Sequence, residues 1–165
     1  DSRVSRGLGD VYKRQLTILG FLESFVISGV IFPSLFLYLL AVFLYVEQIS
    51  SLWLLTLFAY TGSFAGDQSS YLMGRLFGTK ILNWKFFKNR SKQVQKTKAW
   101  FDKYEFGAIL LGRMTPSIRP FAPFFVGTFK LDYKKFLVFD LLACSIWALG
   151  LVLLVVLWDS IGSLF

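Results

Sequence analysis

Two arginines, Arg113 and Arg119, stand six residues apart inside a mostly apolar stretch that runs from Tyr104 to Phe129. A guanidinium stays protonated under working conditions and presents a planar fork of donors. That fork suits a phosphate or a carboxylate, not an apolar ligand or a metal cation. An arginine at the centre of a spanning helix costs ~2.5–3.5 kcal/mol on insertion scales, so two of them need an internal reason. On a straight helix their spacing puts them on different faces. The prolines Pro116, Pro120 and Pro123 interrupt the stretch, and a break at Pro116–Pro120 lets both turn inward. Glu23 and Asp67 are the acids that can answer them, each inside its own long apolar segment. Two roles are open. The arginines bind an anion, with Glu23 as a competing or proton-carrying partner, or one of them bonds Glu23 or Asp67 and holds the structure together. Because the chain has no histidine, Glu23 and Asp67 are the candidates for a proton-coupled step. Asp140 reads as a satisfied residue near the edge of the last apolar segment.

The elements that must position these groups are four apolar segments. The first, Leu16–Val46, has 23 uncharged residues from Ser24 to Val46 and is interrupted by Pro33, ten residues after Glu23. About 20 apolar residues suffice to span a bilayer as a helix. The second, Ile49–Gly74, holds Asp67. Gly62, Gly66, Ser70, Gly74 and Gly78 recur there at every fourth position, which on a helix is one small-residue stripe where another backbone can approach. Tyr71 lies four residues beyond Asp67, beside that stripe. The third segment, Tyr104–Phe129, is bracketed by Gly112 and Gly127 and cannot be an ordinary spanning helix. Broken backbone at membrane depth survives only when buried in protein or lining a watery cavity. The fourth, Phe136–Trp158, carries Asp140 alone. No segment alternates with the period of barrel strands. The expected fold is all-α and polytopic, with spanning helices and two broken re-entrant hairpins facing each other, as in inverted-repeat transporters.

Composition agrees. The chain has 165 residues, is 55% hydrophobic and only 17% charged, and carries a net charge of +8. A soluble domain averages about 25% charged residues. Nine of the 18 lysines and arginines lie between Arg75 and Lys103, opposed by Asp102 alone. Between long apolar segments such a loop is expected on the cytoplasmic side. Lys130, Lys134 and Lys135 form a second basic patch, which falls on the same side if the third segment returns to its own face. Within the loop, residues 92–103 read as a surface helix. Tyr45, Trp53, Trp84 and Trp158 fit interfacial anchors. Nucleic-acid binding is not expected, because no soluble scaffold accompanies the charges. The single cysteine, Cys144, excludes an internal disulfide. No nucleophile–base pair or metal-ligand cluster is visible, so an enzyme is the least expected class and no cofactor or metal is expected. Residues 1–15 mix four basic residues, two acids and two glycines without apolar periodicity, and read as a foreign leader outside the fold.

Read in order, these residues resemble the DedA family, the bacterial branch of the VTT-domain (SNARE-associated Golgi) membrane proteins. F-L-E-S at Phe21–Ser24 carries the family glutamate as Glu23. Pro33 falls where the hairpin proline does. G-D-Q-S-S-Y-L-M-G-R-L-F-G at Gly66–Gly78 fits the pattern G-D-x-x-x-Y-x-x-G-R-x-x-G. G-R-M-T-P-S-I-R-P-F at Gly112–Phe121 fits the two-arginine signature, and Gly127 follows. The resemblance covers residues 16–165 as a single membrane domain, cut at both ends. Many members carry an acid soon after the hairpin proline, where this chain has Leu35.

The resemblance implies a relative of lipid transporters and scramblases in the bacterial inner membrane, associated with recycling of undecaprenyl phosphate and with the proton motive force. Arg113 and Arg119 would then bind a lipid phosphate, and Glu23 would take part in coupling. The expected partners are that lipid and the bilayer, with self-association left open. Two other readings stand beside it. A proton-coupled exporter of small cations would use Glu23 and Asp67 as binding acids, and a non-transport membrane factor would act by packing. Two fixed cations repel a cationic substrate, which favours the lipid phosphate.

Overall fold

The computed structural model describes residues 2–29, 34–83, 91–104, 107, 109–110, 119 and 121–162, and all its regular structure there is helical. Six helices follow in order: α1 Ser2–Ser24, α2 Ser34–Val46, α3 Leu52–Leu82, α4 Ser91–Tyr104, α5 Phe121–Thr128 and α6 Tyr133–Gly162. Residues 2–15 form the opening turns of α1, and Tyr12 packs with the apolar residues around Leu16.

α3 is the element on which the others meet. Its 31 residues make a rod of about 46 Å at 1.5 Å per residue. Leu55, Ala59, Gly62, Ser63, Gly66, Asp67, Ser70, Tyr71, Gly74, Gly78 and Ile81 are buried along it. Repeats of three and four place them on one face. The stripe is shared between two partners. A Cβ on Gly66 would stand 2.6 Å from the carbonyl oxygen of Phe21 in α1, and one on Gly62 would run into the backbone of Thr17. Further along, Gly74 meets the backbone of Phe124 and Gly78 the side chain of Thr128, both in α5. α1 answers in kind: a Cβ on Gly20 would lie 2.7 Å from the carbonyl oxygen of Ala59.

The segments of the sequence divide differently in space. α1 ends at Ser24 and α2 begins at Ser34, so the first apolar segment falls on two helices. α2 has 13 residues, about 20 Å, and α5 has 8, about 12 Å, so neither alone crosses a hydrocarbon core of about 30 Å. Pro123 is the third residue of α5, where a missing N–H costs nothing. Pro33, Arg113, Pro116 and Pro120 lie outside the described residues. Among the described residues one helical stretch, Tyr133–Ser160 in α6, is long and apolar enough to cross a membrane. Its outer face carries Val138, Leu142, Leu149, Leu153 and Leu157, all exposed. α3 exposes Leu57, Leu72, Leu76 and Phe77 in the same way. Water would penalise that surface, whereas acyl chains match it.

Two helices end in the same device. Gln48 after α2 and Lys130 after α5 take φ of 53° and 57°. The N–H of Ile49 reaches the carbonyl of Leu44 and that of Gln48 the carbonyl of Tyr45. Leu131 and Lys130 repeat the pattern onto Val126 and Gly127. These are Schellman caps with a non-glycine residue in the left-handed position.

Apolar packing forms two clusters. One gathers Leu16, Leu37, Leu44, Leu55, Ala59, Leu151 and Val155 from α1, α2, α3 and the end of α6. The other gathers Tyr71, Phe101, Phe124, Val126 and Phe136 from α3, α4, α5 and the start of α6. Tyr71 and Phe136 stack there with ring centroids 4.7 Å apart. α4 occupies the position of the expected surface helix. Phe101 is buried, while Lys98, Asp102 and Lys103 are exposed. Between the clusters lies a buried polar layer made of Glu23, Ser24, Ser63, Asp67, Ser70, Arg119 and Asp140.

Candidate functional site

The polar layer falls at the middle of α3 and on the first half of α6. Glu23 enters it from the last turn of α1. A carboxylate at a helix C-terminus faces the negative end of the macrodipole, so it needs a cation. Arg119 supplies one: its Nη1 donates to Glu23 Oε1 in an ion pair with both side chains buried. Nη2 of Arg119 reaches Ser63 Oγ at 3.2 Å and Ser24 Oγ at 3.5 Å, and the two serine hydroxyls lie 2.7 Å apart. The guanidinium carbon also sits 4.5 Å from the ring centroid of Trp147 on α6. Arg119 is therefore held by α1 and α3 through hydrogen bonds and by α6 through a ring face. A cation–π contact removed from water contributes about 2 kcal/mol.

Ser70 completes the seam. It accepts the N–H of Val26 at 2.9 Å and donates to the carbonyl oxygen of Ser24 at 3.3 Å. Ser28 donates to the carbonyl oxygen of Leu22 at 2.7 Å. Both contacts satisfy carbonyls that the end of α1 leaves without helical partners.

One turn along from Ser63, Asp67 lies in a different company. Its Oδ2 accepts from Cys144 Sγ at 3.8 Å, and ligand atoms of Asp67, Asp140 and Cys144 all fall within 4.8 Å of one another. Gln68 Nε2 donates to Asp140 Oδ2 at 2.8 Å, and Tyr133 OH donates to Gln68 Oε1 at 3.1 Å. Asp140 is thus fully buried in the protein, its carboxylate satisfied by Gln68. The reason is that α6 begins at Tyr133, which moves Asp140 two turns inside the helix and onto the face of Phe136, Cys144 and Trp147. Two carboxylates and a thiol are also a donor set of the kind that can hold a divalent ion. That grouping was not visible in the sequence, because Asp67 and Cys144 stand 77 residues apart.

Of the residues singled out by type and spacing, Glu23 and Arg119 come together, whereas Asp67 pairs with α6. Tyr71 donates to the carbonyl oxygen of Leu131 at 3.4 Å and accepts from Arg75 Nη1 at 2.7 Å. Gly127 lies against the backbone of Tyr71, with a hypothetical Cβ 2.9 Å from the amide nitrogen of Arg75. Ser24, Ser63, Trp147 and Cys144 were missed as site residues. A Trp and a Cys on the face of the one acid in the apolar stretch Phe136–Trp158 were the available signal.

Residues 32–157 match the VTT domain, which is most of the chain. The chain belongs to the VTT-domain, or DedA, family of membrane proteins. An uncharacterised membrane protein of Buchnera aphidicola subsp. Acyrthosiphon pisum is 32% identical over 130 residues, covering 79% of this chain and 51% of that protein. Protein DedA of Escherichia coli K12 is 34% identical over 87 residues, covering 51% and 39%. The inner membrane protein YabI of the same strain is 27% identical over 132 residues, covering 80% and 52%. The chain spans about half the length of the relatives it matches. No solved structure matches it. For a DedA-family chain, a buried arginine between two apolar clusters belongs to a membrane domain, not to a soluble core.

Proposed function

We propose that this DedA-family chain moves a lipid phosphate of the polyprenyl-phosphate class between the leaflets of a bacterial inner membrane. The observation that carries the proposal is the buried Arg119, a permanent cation whose counter-charge is the carboxylate of Glu23. A phosphate offers the same guanidinium two acceptor oxygens in the geometry of its fork. Glu23 and the phosphate then compete for one donor set. When Glu23 takes a proton its claim weakens and the phosphate enters; when it releases the proton the ion pair reforms and the phosphate leaves. Ser24 and Ser63 bridge both states, because hydroxyls donate as well as accept. Arg113 is the second expected phosphate ligand, and the short helices α2 and α5 belong to the two re-entrant arms. The membrane setting supports the polyprenyl tail, since the outer faces of α3 and α6 are apolar. Cation export is disfavoured, because a cation approaching Glu23 meets the guanidinium already there.

The test is reconstitution of the protein in liposomes with a labelled polyprenyl phosphate, following movement between leaflets with and without a pH gradient. Wild-type protein is expected to accelerate the movement. Arg119→Lys, which keeps the charge but loses the fork, is expected to insert and to fail. Equal rates in protein-free and protein-containing liposomes, or wild-type transport by Arg119→Lys, would reject the reading.

A further inference from the structure

Away from the buried layer, α3 and the start of α6 leave a groove of about 470 Å³ lined by Gln68, Ser69, Tyr71, Leu72, Arg75 and Tyr133. Its walls combine two aromatic rings and an exposed leucine with one guanidinium. Arg75 is exposed, and its Nη1 spends one donor on Tyr71 OH while the carbon of the guanidinium stands 6.0 Å from the Tyr71 ring centroid. The rest of the five-donor fork is available to a ligand at the surface. Depth comes from Tyr133, the first residue of the stretch able to cross a membrane. The groove therefore opens at one end of that stretch, the place in a membrane helix where tyrosines settle. Charge comes from the same end of the molecule: Lys130, Lys134 and Lys135 are exposed there, against Asp132. On the side of Arg75 nearer the buried layer, Leu72 presents an exposed apolar side chain on α3.

We propose that this groove binds an anionic glycerophospholipid, with the headgroup phosphate on Arg75, the glycerol beside Tyr133 and Gln68, and an acyl chain along Leu72. Basic pockets between transmembrane helices take acidic headgroups in this way. A free phosphate satisfies the guanidinium but leaves the apolar wall uncovered, so the lipid is the occupant that fits the whole groove. The site uses none of the groups that hold Arg119, and it stands or falls apart from the transport reading.

Purified protein in neutral detergent micelles, titrated with phosphatidylglycerol carrying a fluorescent acyl chain, tests it. Phosphatidylcholine with the same chain and inorganic phosphate serve as competitors. Wild-type protein is expected to bind phosphatidylglycerol in preference to phosphatidylcholine, with inorganic phosphate competing poorly. Arg75→Gln is expected to weaken binding about tenfold, the usual scale for losing a hydrogen bond to a charged group. Ser69→Trp fills the groove from its rim without changing charge and is expected to do the same, which covers the case where Arg75→Gln fails to fold. Equal affinity for the two lipids, full displacement by inorganic phosphate, or unchanged binding in a folded Arg75→Gln or Ser69→Trp protein would overturn the proposal.

Discussion

The ion pair between Glu23 and Arg119 makes a sharp prediction about stability. Both side chains are about 4% exposed, so solvent does little to screen either charge. Replacing Arg119 by Gln leaves the Glu23 carboxylate buried at the end of α1 without its cation, and it removes the contacts to Ser63, Ser24 and the Trp147 ring. Breaking a buried pair from one side costs about 3–5 kcal/mol. Glu23→Gln keeps an acceptor near Arg119 but removes the carboxylate charge that faces it, and it belongs at the low end of that range. The double change Glu23→Gln with Arg119→Gln removes both charges and lets two amides bond each other across the same gap. It is expected to lie within about 1.5 kcal/mol of wild type, a coupling on the order of 3 kcal/mol or more. Equilibrium unfolding in mixed micelles, read by tryptophan fluorescence, measures all four proteins. Strictly additive single-mutant losses would show that the two groups do not compensate each other, and the buried-pair reasoning would fail. The double variant is also expected to be stable and inactive in lipid-phosphate transport, which separates what the pair does for folding from what it does for substrate.

Replacing Gly74 by Leu drives a branched side chain into the backbone of Phe124 and is expected to abolish the folded state, whereas Leu72→Ala on the exposed face should shift stability by no more than about 0.5 kcal/mol; equal thermal stability of the two would refute the close approach. Gln48 holds a left-handed conformation at the end of α2, so Gln48→Gly should stabilise by up to about 1 kcal/mol in the same unfolding assay. Cysteines placed at Lys98 and Lys134 in a Cys144→Ser background should react with an impermeant thiol reagent from one and the same side of the membrane, the cytoplasmic one; labelling from opposite faces would contradict the re-entrant third segment.

Much of this arrangement is legible before any coordinates, and the reason is energetic. Charges at membrane depth are costly enough that Glu23, Asp67 and Arg119 announce themselves by being there at all. The four-residue spacing of Gly62, Gly66, Gly74 and Gly78 announces a helix face for the same reason: nothing else explains so many missing side chains. What the sequence could not supply was pairing. Glu23 and Asp67 look alike on paper, and each could have met an arginine. Only the packing of α1 and α6 on α3 sends Glu23 to Arg119 and Asp67 to Asp140 and Cys144. Which way Asp140 turns depends on where α6 begins, and helix ends are blurred by a turn in any pattern of apolar residues. Ser24 and Ser63 were overlooked because a serine in an apolar run looks like a small residue until a guanidinium stands beside it.

The glycine seams along α3 have a consequence of their own. Where backbone lies on backbone, no knob drops into a hole, so the seam tells a neighbouring helix how near to come but not where to stop. Sliding α1 by part of a turn costs little along Gly62 and Gly66 themselves. The stop is set elsewhere, by directional bonds that tie Ser63 and Ser70 to Ser24 and Val26, and by the reach of Arg119 to Glu23. Proximity and register are thus assigned to different residues. The polar layer is the latch of an otherwise smooth rail.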